Sequence, residues 1–168
     1  MDSDELRRLQ APVKDLYRDD ASEAQLTLTA QGKLDAEGVV CSMQTHAGPL
    51  DAGLHPAAGG DGSFACSGNM LLEALVGCAG VTLLAVSTAL KIPIRGGRVV
   101  ADGDMDFRGT LGMSKEVPVG FSDIRLRFEL DTDADDDQLA TLLRLTERYC
   151  VVYQTLKQPP EIGVSVTD

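Results

Sequence analysis

The stretch MLLEALVGCAGVTLLAVSTALKI, residues 70–92, sets a single cysteine, Cys78, in the middle of a long apolar run. Met70, Leu71, Leu72, Leu75, Val76, Val81, Leu83, Leu84, Val86 and Leu90 leave few polar faces, and the spacing predicts a helix over 70–91. The run has the length of a membrane span. Glu73 near its start, and Gly77, Thr82, Ser87 and Thr88 within it, favour a soluble core helix instead. A helix apolar on every side is buried centrally, in a core or between subunits. In a chain of 168 residues, dimerisation is the natural way to cover it. Cys78 is then either a small core residue, as buried cysteines often are, or a thiol with a chemical role.

The elements around this run read as follows. KIPIRGG, with Pro93 and two glycines, ends the helix. RVVADGDMDFRG and FSDIRLRFELDT then alternate. In the second, Ile124, Leu126, Phe128 and Leu130 face one side and Asp123, Arg125, Arg127 and Glu129 the other, giving two antiparallel strands with one wet face. DADDDQLATLLRLTERYCVVYQTLKQ opens on acids suited to a helix N-terminus and carries Leu139, Leu142, Leu143 and Leu145 at helical spacing. Pro159 and Pro160 stop it, and EIGVSVTD, 161–168, reads as a last strand. Upstream, residues 4–17 read as a short surface helix interrupted near Pro12. AQLTLTAQGKL, 24–34, alternates as a strand, DAEG at 35–38 is a turn, and VVCSMQTH is a second strand. Residues 46–69 form a Gly-, Ala- and Pro-rich connection with one short strand near 49–52. The order ββ…α…ββ…α…β is an α+β fold of antiparallel sheets packed on two long helices. Residues 1–21 stand as a helical extension before a single domain at 22–168.

The formal charge of −11 argues against nucleic acid and against an anionic membrane surface as partners. The opening MDSDELRRLQAPVKDLYRDD has neither the basic nor the apolar region of a secretion signal. Cys41, Cys66, Cys78 and Cys150 are widely spaced, which fits reduced thiols in the cytoplasm better than a secreted disulfide framework. No C-x-x-C occurs, and the spacings of His46, His55, Cys41 and Cys66 match no metal-binding pattern.

GGDG leading into LLEALVGCAGVTL, and a second helix carrying ERYCVVYQTL, resemble the OsmC/Ohr family of thiol-dependent hydroperoxide reductases. The resemblance covers roughly residues 22–168. It implies an intertwined homodimer with two sites at the subunit interface, each with a peroxidatic Cys78 and a resolving Cys150. It implies an organic hydroperoxide as substrate and a dithiol reductant such as a lipoyl protein or thioredoxin-like donor, with no cofactor and no metal.

The chemistry is consistent with that. Peroxide reduction needs a thiolate, and a free cysteine with a pKa of about 8.5 is mostly protonated near neutrality. Attack gives a sulfenic acid, which a second thiol captures as a disulfide before further oxidation, and a dithiol resets the pair by exchange. Val76, Val81 and Leu84 around Cys78 favour an alkyl-bearing peroxide over hydrogen peroxide.

The chain departs from the family pattern in ways that mark a divergent member. Typical members have a Pro and a Glu before the central helix, where this chain has Asn69 and Gly68. Glu73 is the nearest acid, and on a straight helix it lies about 140° around from Cys78; it is either part of the site or a carboxylate at the positive end of the helix dipole. The family's hairpin Arg is missing from QGKLDAEGVV, leaving Lys33 and Arg148 as candidate cations or as solvated surface charges. Cys66, just before the helix, is an alternative resolving thiol or a small loop residue. Cys41 reads as core and His55 as a loop-shaping residue. The alternative to a peroxidase is a non-enzymatic dimer that binds an apolar small molecule between its central helices.

Overall fold

The computed structural model describes residues 1–167. The elements in order are α1 (Ser3–Asp19), β1 (Gly32–Asp35), β2 (Val40–Thr45), β3 (Gly48–Ala52), α2 (Ser67–Leu90), β4 (Ile94–Met105), α3 (Phe107–Thr110), β5 (Phe121–Thr132), α4 (Asp136–Tyr149) and α5 (Val151–Lys157). The α+β class with antiparallel sheets is as the patterns predict. The described chain divides into two compact units: Met1–Leu9, Ala74–Val100 and Phe128 onward form one; Gln10–Glu73 and Ala101–Arg127 form the other.

The second unit holds the meander β1-β2-β3, in which Cys41 lies opposite both Leu34 and Ala52. Ala65 then bridges Ala52 in parallel, and this continues the sheet toward the start of α2. His55 shapes the connection as expected. Its Nδ1 accepts from the Ala57 amide at 3.0 Å, and its ring stacks on Phe107 with centroids 5.0 Å apart.

The first unit holds the apolar centre. Leu83 of α2, Ile92 and Leu142 of α4 are buried together, and Val86, Ile94, Phe128, Leu130 and Ala134 pack against them. At Gly97 a side chain would collide with the Glu129 carbonyl, so the close approach of β4 to β5 requires a residue with no Cβ. The acidic run before α4 forms a capping box: Asp135 accepts from the Gln138 amide at 2.8 Å, and the Gln138 side chain accepts from the Asp135 amide at 3.1 Å.

Five expectations are corrected. Helix α1 runs unbroken through Pro12; the ring removes one amide donor, but the helix formers Leu9, Gln10, Ala11 and Lys14 flank it and carry the helix past. The strand expected at 24–34 is reduced to Gly32–Asp35, and no strand forms in 161–167, with Asp168 outside the described residues. Leu28 is 86% exposed and Val166 94%. Alternation makes a face for a sheet, but a strand needs a neighbour for its backbone groups, and neither segment has one here. The single helix expected over 133–158 is two, α4 and α5, divided at Cys150, whose ψ of 109° is extended. Finally, α2 begins at Ser67, so Glu73 falls beyond its first turn, out of the region where the dipole would favour it.

Candidate active site

Cys78 stands at the middle of α2, half-buried, and Cys150 is buried at the junction of α4 and α5. Both belong to the first unit. Cys150 ends one helix and begins the next. Its own amide donates to the Thr146 carbonyl at 2.9 Å, and its carbonyl accepts from Gln154 at 2.9 Å. No side chain caps α5. The first amides of a helix have no partner within it, and those of Val151 and Val152 act to lower the Cys78 thiol.

The two thiols differ in character. Burial pushes the Cys78 thiol up, but it is outweighed. The Val152 amide, the Cys150 thiol, the Val151 amide and the Thr82 hydroxyl all donate toward the sulfur and together hold it below the ordinary thiol value. Burial pushes the Cys150 thiol up as well. There the hydrogen bond to Cys78 and the charge on Cys78 add to the rise, while the Tyr153 and Val152 amides oppose it. Cys78 is therefore the more readily ionised thiol of the pair and Cys150 the less readily ionised. Such a pair can supply a nucleophile and, beside it, a second sulfur.

The other residues singled out in the sequence have the following settings. Arg148 is exposed, with its guanidinium 5.4 Å from the centre of the Tyr149 ring. Glu73 is exposed on α2 and belongs to the second unit. Lys33 is exposed on β1. Cys66 is half-buried ahead of α2, where its carbonyl accepts from the Met70 amide at 3.0 Å. Among the described residues, no cluster of three or more His, Cys, Asp or Glu is arranged to hold a metal. Two contributors escaped the sequence reading. Thr82 was legible in principle, one helical turn beyond Cys78 on the same face. The amides of Val151 and Val152 carry no side-chain signature.

A family model described as OsmC-like protein matches residues 60–165. The chain belongs to the OsmC-like family. Solved structures of the same fold include an OsmC-like protein from Mycoplasma pneumoniae, with TM-score 0.65 and 15% identity over 80% of this chain and 90% of that one. An organic hydroperoxide resistance protein OsmC from Legionella pneumophila gives TM-score 0.61 at 14% identity, over 80% and 93% of the two chains. An organic hydroperoxide resistance protein from Elizabethkingia anophelis, with thiocyanate bound, gives 0.62 at 12%, over 80% and 92%. No curated protein matches the chain. Within this OsmC-like chain the family match takes in both Cys78 and Cys150 and leaves α1 outside it.

Proposed function

We propose that this OsmC-like protein is a thiol-dependent peroxidase that reduces organic hydroperoxides with Cys78 as the peroxidatic and Cys150 as the resolving cysteine. The observation that carries the reading is the pairing of a lowered Cys78 thiol with a raised Cys150 thiol that donates to it. The two solved structures named as organic hydroperoxide resistance proteins support the same class of chemistry.

The cycle balances as follows. The Cys78 thiolate attacks the terminal oxygen of ROOH, the O–O bond breaks, and the alkoxide takes a proton and leaves as ROH. Cys78 is oxidised to the sulfenic acid and the peroxide is reduced. Cys150 then attacks the Cys78 sulfur; the S–S bond forms, and the hydroxyl leaves with the Cys150 proton as water. An external dithiol, of lipoyl or thioredoxin-like type, reduces the disulfide by exchange and becomes a disulfide itself. A cycle that ends on a reduced dithiol suits the cytoplasm.

The reading includes a homodimer, formed by residues 22–168 as one domain with 1–21 as an extension. Helix α2 is long and apolar enough to cross a membrane on those counts alone, yet only 22% of its most apolar window is buried within one chain, and Val81 is 71% exposed. A second copy would cover it, and would offer strand neighbours to the apolar segments at 25–31 and 161–167.

Stopped-flow measurement with cumene hydroperoxide tests the function, with thiol loss as the readout. The parent protein should consume peroxide, and Cys78→Ser should not. Equal consumption by both would remove the enzymatic reading in favour of a ligand-binding dimer of the same fold.

A further inference from the structure

The break between α4 and α5 falls at Cys150 with neither Gly nor Pro there to cause it. In an unbroken helix the Glu147 carbonyl would accept from the Val151 amide. The extended ψ of 109° at Cys150 takes that amide away, and leaves the carbonyl among the orphans of a helix end. It is not left unpaired. The side-chain amide of Gln154, from α5, donates to it at 2.7 Å. The carboxylate of the same Glu147 accepts from the Tyr153 hydroxyl at 3.1 Å. The backbone amide of Gln154 donates to the Cys150 carbonyl at 2.9 Å, so Gln154 grips the chain on both sides of the Cys150 Cα. The Lys157 ammonium stands 5.5 Å from the centre of the Tyr153 ring and adds a cation–π contact. Tyr153 and Gln154 are half-buried, and all of these residues belong to the first unit.

We propose that Gln154 and Tyr153 are positioning residues for the resolving cysteine: by bracing α5 on Glu147 of α4 they keep the chain extended at Cys150, and so keep the Cys150 thiol in the setting from which it reaches Cys78. The competing form is a continuous helix through Cys150. The local sequence does not forbid it, since Val151 and Val152 are only mildly unfavourable in a helix. The brace decides between the two forms. In a continuous helix the Glu147 carbonyl would already be taken by the Val151 amide, and Tyr153 would stand about 120° around the axis from Glu147. Both brace bonds therefore favour the broken form. Cys150 is 1% exposed, so a change of form at this one residue carries a buried thiol out of its place. The proposal deepens the peroxidase reading and rests on it only for what the Cys150 thiol does there.

The test uses the full chain and two readouts by peptide mass spectrometry. One is the rate of Cys150 alkylation by iodoacetamide in the reduced protein at fixed pH. The other is the ratio of Cys78 sulfinic acid to Cys78–Cys150 disulfide under excess cumene hydroperoxide. Gln154→Met keeps the length of the side chain and removes the donor, and Tyr153→Phe removes only the hydroxyl. Each should raise both the rate and the ratio by about two- to tenfold, the range for one lost hydrogen bond. Gln154→Lys restores a donor to the carbonyl and should return both readouts to the parent's values. Asp135→Ala weakens α4 from its other end without touching Glu147, and should leave both readouts unchanged. Equal changes in Asp135→Ala and Gln154→Met would mean that the brace acts through stability alone, and the proposal falls. Unchanged readouts in Gln154→Met and Tyr153→Phe overturn it, as does faster alkylation with an unchanged ratio where the parent forms the disulfide. A parent that forms no Cys78–Cys150 link sinks the peroxidase reading; faster Cys150 alkylation in the two variants, reversed in Gln154→Lys, still upholds the brace.

Discussion

Cys150, the one residue that closes α4 and opens α5, shifts Cys78 and is shifted by it in opposite directions: it helps to hold the Cys78 thiol below the ordinary value, while Cys78 helps to push its own thiol up. The relationship is asymmetric. The charge that the α5 amides favour on Cys78 is the same charge that discourages ionisation of Cys150.

That asymmetry fixes a pH dependence. Cys78 should alkylate with a midpoint below that of an ordinary thiol, and Cys150 with one above it. For Cys78 the folded value is depressed, so its contribution to stability is full above the unfolded value and is lost as pH falls through the folded one. For Cys150 the folded value is raised, so its contribution is full below the unfolded value and is lost as pH rises through the folded one. Peptide-level alkylation rates across pH 5–10 (about that range is needed to bracket both thiols) measure the two midpoints. Coincident midpoints would contradict the assignment.

Removing the resolving thiol should leave the first step intact. Cys150→Ser should consume about one equivalent of cumene hydroperoxide per chain without turning over, and a second only as excess peroxide carries Cys78 on to the sulfinic acid. Mass spectrometry of the Cys78 peptide reads the added oxygens. Sustained turnover by this variant with a dithiol reductant would show that some other thiol resolves Cys78.

Dimerisation should show in light scattering of the parent at micromolar concentration. Aspartate at Leu28 and Val164, both almost fully exposed within one chain, should shift the mass toward that of a monomer, because each places a charge on a strand face that a second copy would cover. A parent that is monomeric from the outset would refute the assembly.

The apolar centre of the first unit sets a stability scale. Leu142 has no exposed surface and packs in the cluster with Leu83 and Ile92. Leu142→Ala should cost about 2–5 kcal/mol in urea denaturation. Asp135→Ala removes the capping box of α4 and should cost about 1 kcal/mol. A leucine variant less damaging than the cap variant would mean that the cluster is not the centre of this unit.

The sequence carried α2, β5 and α4 plainly, because each writes its partner surface into its own residues. The all-round apolar run, the strict alternation of Ile124 to Leu130, and the acids ahead of Leu139 report those elements without help from elsewhere. The same logic misled at 24–31 and 161–167. There the alternation is real, but pairing depends on a neighbour that the single chain does not supply. The division at Cys150 was invisible for another reason. Neither Gly nor Pro marks it, and two valines follow a buried cysteine in an otherwise helical pattern. As a result the two cysteines were legible in the residues, and their pairing came from the family resemblance, while the helix start at Val151 was legible only in the backbone.

Consider what dissolved ions do to such a molecule. Its sheet carries exposed guanidinium–carboxylate pairs from β4 to β5, Arg95 with Asp131, Arg98 with Glu129, Arg127 with Asp102 and Arg125 with Asp104. Screening acts over about 8–10 Å near physiological ionic strength, and exposed pairs like these weaken as salt rises. The groups that lower Cys78 are dipoles, with no net charge for a counterion to neutralise. An attack by a neutral peroxide on a thiolate held in this way should keep its rate from dilute buffer to concentrated salt, while the charged surface around it loosens.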